Sequence, residues 1–195
     1  MKYYIIAGEA SGDLHGSNLM KGIYAEDPQA DIRFWGGDLM LAVWESWQNA
    51  GTYDFNAAFS ASGITNGKPS NEKPDNQHKL TGLVRHYKEG AVMGFVEVLA
   101  KAPKLLGNVR YCKKDILAWK PDVVILIDYP GFNFKIAEFA HKAGFKVFYY
   151  IAPKVWASRE SRIKKLKAYV DKLFIVFPFE KPYFDAKGVD YIYKG

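Results

Sequence analysis

Residues 122–144 read DVVILIDYPGFNFKIAEFAHKAG, and this stretch decides the fold class. DVVILID (122–128) is apolar along its whole length, as a strand buried on both faces must be. YPGFN (129–133) is a turn, and FKIAEFAHKAG has helical period up to a stop at Gly144. The unit then recurs. FKVFYYIA (145–152) is followed by PKVWASRESRIKKLKAYV as turn and helix, and DKLFIVF (171–177) leads through PFEKPYFDAKG to a last strand, VDYIYK. Apolar strands alternating with helices predict a parallel sheet covered on both faces.

The N-terminal half fits the same scheme. KYYIIA (2–7) and DIRFWG (31–36) are predicted strands, a helix is expected from about Asp13 to Tyr24, and TGLVRHY (81–87) is a candidate third strand. From Met93 to Trp119 apolar residues recur at helical spacing, and Pro103 must start a new helix or kink this one. Residues 43–80 mix Trp, Tyr and Phe with Gly, Asn, Ser and Pro without a period, and are read as an irregular insertion. The expected fold is α/β: a Rossmann-like, open, mostly parallel sheet of six to seven strands in one domain, with helices on both faces.

Composition narrows the function classes. The 195 residues contain one cysteine and four scattered histidines, so there is no internal disulfide and no metal-ligand spacing. Cys112 is read as a packing thiol. No apolar run approaches the roughly 18 residues of a membrane span, and no export signal precedes the first strand, so a cytosolic protein is expected. The net charge of +6 is concentrated at 154–172, where Lys154, Arg159, Arg162, Lys164, Lys165, Lys167 and Lys172 face only Glu160 and Asp171. Such a face is either solvated or attracts an anion: a phosphorylated substrate, an anionic lipid or nucleic acid.

In an open parallel sheet, ligands bind beyond the carboxyl ends of the strands. The first such turn is Gly8–Asp13, whose glycines at 8, 12 and 16 do not have dinucleotide-binding spacing. Ser11 or Asp13 could cap the following helix; alternatively the turn binds an anion or sugar, with Glu9 and Asp13 accepting from hydroxyls. Asp128, an acid at the end of a buried strand, is either a turn acceptor or a general base. A Ser11–His15–Asp128 triad lacks a nucleophile-elbow pattern.

Five ordered segments, AGEASGDLHG (7–16), AVMGFVEVL (91–99), PDVVILIDYPGFN (121–133), YYIAPKVWASRESR (149–162) and FPFEKPYF (177–184), together resemble the lipid-A-disaccharide synthase family. The resemblance implies a family-19, inverting glycosyltransferase of the GT-B type, with two Rossmann-like domains. It implies an acylated glucosamine 1-phosphate acceptor, a UDP-diacylglucosamine donor, no metal and no cofactor, and work at the inner face of the inner membrane. Asp128 matches the family's catalytic aspartate. Glu9, Ser11, Gly12 and Asp13 match its first loop, and Met93, Gly94 and Asn133 match lining positions. Many relatives carry Ser-Pro-Ser where this chain has Ala152-Pro153-Lys154, and Asp where it has Gly131; Lys154 is then a candidate partner for a sugar phosphate.

On this resemblance the 195 residues correspond to the acceptor-side domain, with most of the UDP site in a second domain. Phe95, Val98 and Leu99 beside Lys101 and Lys104 form a candidate surface for acyl chains and an anionic membrane, unless that stripe faces the sheet. Nucleic acid is not an expected partner, and a homodimer is left open. The competing readings are another GT-B or UDP-sugar enzyme, such as a UDP-sugar 2-epimerase, and a non-enzymatic Rossmann-like binding module.

Overall fold

The computed structural model describes residues 1–50, 82–90, 102–153 and 160–194. Among these residues seven strands form one sheet in the order β3-β2-β1-β4-β5-β6-β7. They are β1 (Lys2–Ala7), β2 (Asp31–Gly36), β3 (Leu83–His86), β4 (Val123–Ile127), β5 (Lys146–Tyr150), β6 (Lys172–Ile175) and β7 (Ile192–Tyr193). Every pairing is parallel. The α-helices among the described residues are α1 (Ala10–Glu26), α2 (Asp38–Ala50), α3 (Tyr87–Gly90), α4 (Ala102–Trp119), α5 (Pro130–Lys142), α6 (Ile163–Tyr169) and α7 (Glu180–Ala186).

The alternating side chains of the central strands feed two cores. Tyr4 and Ile6 of β1, with Val124 and Leu126 of β4, pack under α4 and α5 against Cys112, Ile116, Ile136 and Ala137. Ile5 and Ala7, with Val123, Ile125 and Ile127, point the other way and meet Met20 and Tyr24 of α1 and Met40 of α2. A strand that serves both cores has no polar face, which is why VVILI reads as a continuous apolar run. Cys112 is buried in the first core and its thiol is pushed up by burial, consistent with a packing role.

Two boundaries differ from the sequence reading: α5 opens at Pro130, inside the expected YPGFN turn, and α2 runs into the expected insertion. Residues 43–50 complete α2 rather than opening an irregular insertion. Met40 and Val43 are buried in the second core, Trp44 and Trp47 pack against it, and Trp47 stacks on Tyr24 at 4.5 Å. These four residues form an i, i+3, i+4, i+7 stripe. The rest of the proposed insertion, from residue 51, lies outside the described residues. Helix α4 begins at Ala102, so Pro103 occupies its first turn, where a missing N–H costs least.

Candidate functional site

The strand order reverses direction between β1 and β4, and the connections leave the sheet on opposite faces there, opening a crevice at the carboxyl ends of both strands. Ala7 pairs with Ile127, so the Gly8–Asp13 turn and the Asp128–Asn133 turn emerge side by side. Two of the turns singled out in the sequence are thereby brought into one place.

On the β1 side, Glu9 is the N-cap of α1 in extended conformation, and no side chain caps the helix. Glu9 and Ser11 are exposed, whereas Gly12 is buried and packs against Ala7 and Ile127. Gly8 lies flat against Tyr129: a Cβ at residue 8 would overlap the tyrosine ring. The two turns fit together only because residue 8 has no side chain.

Of the roles left open for Asp13, the geometry favours shaping the fold. It is only 3% exposed, and its carboxylate accepts backbone N–H groups from Gly37 (2.7 Å), Leu39 (3.1 Å) and Met40 (3.1 Å). Gly37 precedes α2 and has no side chain with which to cap it, so Asp13 caps that helix from α1. A buried carboxylate committed to three amides is not a sugar-hydroxyl acceptor. Neither Ser11 nor Asp13 caps α1, and Asp13 is corrected here from substrate contact to loop and helix shaping.

On the β4 side the backbone is strained. Asp128 (φ 41°) and Tyr129 (φ 45°) are consecutive non-glycine residues in the left-handed region, at a cost of roughly 1–3 kcal/mol each. The surroundings hold them there. The buried Asn133 donates from Nδ2 to the carbonyl oxygens of Ile127 (3.1 Å) and Asp128 (2.8 Å), and the Tyr149 hydroxyl donates to the Asp128 carbonyl (2.7 Å). Asn133 is therefore a clamp beneath Asp128. Asp128 itself is half-buried, and burial, with the added charge of Asp128, raises the Tyr149 hydroxyl well above its usual range. Tyr149 thus stays protonated, and Arg162 is close enough to oppose the shift.

From Tyr129 an aromatic row runs across the crevice. Tyr129 stacks on Phe132 (5.6 Å), Phe132 meets Trp35 (5.4 Å), and the Arg85 guanidinium lies 5.8 Å from the Trp35 ring. The Tyr129 hydroxyl is raised by burial and by the Glu9 charge, which places that acid at the same rim. Gly8, Tyr129, Phe132, Trp35 and Arg85 line a shallow cleft that is open to solvent. Trp35 is fixed from behind: its Nε1 donates to Tyr4 Oη (2.9 Å), Tyr4 donates to Asp115 (2.7 Å), and Arg33 holds Asp115 with two bonds.

Trp35 and Arg85 were missed in the sequence, because both lie inside the predicted strands DIRFWG and TGLVRHY rather than just beyond them. Met93, Gly94, Phe95, Val98, Leu99, Lys101 and Lys154 lie outside the described residues, and Lys104 falls in the first turn of α4. On the basic segment, Lys167 donates to the Lys187 carbonyl (3.0 Å) and Lys165 lies 3.9 Å from Glu138, so part of that charge is engaged within the domain. A side chain at Gly131 would meet open space, so the Asp that relatives carry there is not excluded by packing. Among the described residues no His, Cys, Asp and Glu cluster could hold a metal, and no helix is long and apolar enough to cross a membrane.

This combination defines a doubly wound α/β domain with a paired-loop crevice at its switch point. Solved structures share the fold: the UDP-GlcNAc 2-epimerase of Neisseria meningitidis, determined with UDP-GlcNAc bound, superposes with a TM-score of 0.58 at 8% identity, covering 100% of this chain and 46% of that one. The Methanocaldococcus jannaschii UDP-GlcNAc 2-epimerase gives 0.53 at 17% identity, covering 100% and 45%. Sequence comparison goes further than fold. The lipid-A-disaccharide synthetase family model matches residues 75–195, and the chain belongs to that family. Lipid-A-disaccharide synthases of Geobacter metallireducens (38% identical over 191 residues) and Syntrophus aciditrophicus (34% over 194) are aligned over 98% of this chain. The chain spans about 40% of the length of those relatives.

Proposed function

We propose that this chain is the acceptor-side domain of a glycosyltransferase that joins UDP-2,3-diacylglucosamine to 2,3-diacylglucosamine 1-phosphate, forming a β-1,6-linked disaccharide and releasing UDP. Family membership supplies the reaction. The observation that carries the site is the position of Asp128, held in a strained turn beside the Gly8 loop at the switch point.

In this reading the acceptor lies along the Tyr129–Phe132–Trp35 row with its 6-hydroxyl at Asp128. The carboxylate takes the hydroxyl proton as that oxygen attacks the anomeric carbon of the donor. The bond from that carbon to the UDP oxygen breaks on the opposite face, UDP leaves with the electron pair, and the configuration inverts. Glu9 and Ser11 sit at the rim within reach of sugar hydroxyls, while Gly12, Asp13 and Asn133 hold the two loops in shape. Met93, Gly94 and Lys154 retain the substrate-lining roles that the family pattern suggests.

The UDP site is assigned to a second domain. Turnover by a full-length protein containing this chain, read as disaccharide and UDP formed together, tests the activity. Calorimetric titration tests the division of labour. UDP is expected to give no micromolar binding to the 195-residue chain, and micromolar affinity would refute that division.

Both substrates carry acyl chains, so the reading includes a cytoplasmic protein peripheral to an anionic membrane, docking through Phe95, Val98 and Leu99 with Lys101 and Lys104. Flotation with anionic vesicles should carry the protein upward and lose it when Phe95 and Leu99 are changed to serine. Equal flotation of the variant would show that another surface docks.

A further inference from the structure

We infer that Arg85 and the cleft around it bind the phosphate of the acceptor, at the end of the sugar opposite the reacting hydroxyl; this rests on the acceptor reading above. The cleft has two ends. One is formed by Gly8 and Tyr129, the immediate neighbours of Asp128 across β1 and β4. The other is formed by Arg85 at the end of β3, with the aromatic row between them.

Arg85 is built into its place. Its Nη1 donates to Asn108 of α4, its Nε to Glu89 of α3 at 3.3 Å, and its guanidinium lies over the rings of Trp35 (5.8 Å) and Tyr111 (5.9 Å). Nη2 makes no hydrogen bond among the described residues. The side chain is 30% exposed. It is therefore pre-oriented on one side and open on the other, as a planar donor fork for a phosphate should be.

The carboxylates nearby are each already held by a basic side chain. Glu89 is paired with Arg85, while Asp38 is paired with both His86 and Lys88. His86 and Tyr87 line the same cleft, with the His86 ring nitrogens taken up by Asp38 and by the Lys88 N–H. An acceptor that spans the row with its 6-hydroxyl at Asp128 directs its anomeric substituent toward β3. A phosphate monoester there would accept from Nη2 and bring a second negative charge to the guanidinium, which a hydroxyl or acyl group would not.

The test uses a full-length protein containing this chain, as wild type, Arg85→Leu and Arg85→Lys. Ligand-observed NMR titration compares glucosamine 1-phosphate, glucosamine and UDP. Turnover compares the diacylglucosamine 1-phosphate acceptor with its 1-O-methyl counterpart. Arg85→Leu is expected to weaken glucosamine 1-phosphate binding by about 10- to 100-fold and glucosamine binding far less, with the turnover loss appearing mainly in KM for the phosphorylated acceptor. Arg85→Lys should recover part of the affinity, because it keeps the charge and loses the fork.

Equal weakening of both sugars would mean that Arg85 only braces α4 through Asn108, and would overturn the proposal. So would unchanged binding in Arg85→Leu, or an Arg85-dependent loss seen with UDP instead, which would give the cleft to the donor. Arg85-dependent phosphate binding by a wild type that makes no disaccharide would sustain the phosphate site while refuting the glycosyltransferase reading.

Discussion

Asp13→Ala is expected to lower stability by about 3 kcal/mol and the melting temperature by roughly 6–12 °C for a domain of this size. Three N–H groups at the start of α2 lose their acceptor, and those of Gly37 and Met40 are bonded in buried surroundings. Water cannot replace the carboxylate there without disturbing the packing of α1 on α2. The substitution also removes a negative charge from a helix N-terminus, where it is favourable. Asp13→Asn separates the contributions: one oxygen serves Gly37 and Met40 while the other serves Leu39, so an amide keeps the first pair and loses the third bond. Its expected cost is about 1 kcal/mol. Thermal or urea unfolding of the three proteins checks the order. An Asp13→Ala protein as stable as the wild type would mean that Asp13 is not a structural cap, and would return it to the candidate substrate contacts.

The same residue shows where sequence reading succeeds and where it stops. The Lys2–Ala7 and Asp31–Gly36 strands were legible to the residue, because their apolar runs are bounded by turn residues and buried on both faces. The switch point was legible too. Strand-end turns at Gly8 and Asp128 follow from the β–α alternation, and any doubly wound order with this reversal makes them neighbours. The partner of Asp13 was not. Its ligands are amides of the next βα unit, with no side-chain signal, and the glycine that makes the distant cap necessary looks like any other turn glycine.

Helix α2 was missed for a local reason. The reading began an irregular stretch at residue 43 and so separated Val43, Trp44 and Trp47 from Met40, the first member of their stripe. Arg85 was hidden by the brevity of β3, whose four residues carry too little pattern to fix a strand end. The clamp on Asp128 lies between these extremes. Asn133 could be marked as a residue of the turn, but its bonds to two successive carbonyls depend on the left-handed pair at 128 and 129, which no residue type there announces.

Asp128→Asn is the substitution with the largest expected effect on activity. The amide has nearly the carboxylate's shape, and the Asn133 and Tyr149 bonds that help to hold the turn end on the backbone carbonyls of Ile127 and Asp128, which the substitution leaves in place. What is lost is the capacity to take a proton. A positioned general base contributes about 10²- to 10⁴-fold, and that factor should fall on the chemical step and not on acceptor affinity. Single-turnover disaccharide formation, with both substrates saturating a full-length protein containing this chain, reads that step directly. The account predicts a rate at least about 100-fold below wild type with acceptor binding essentially unchanged. A single-turnover rate equal to wild type would remove Asp128 from the base role and, with it, the assignment of the β1–β4 crevice as the place where the bond is made.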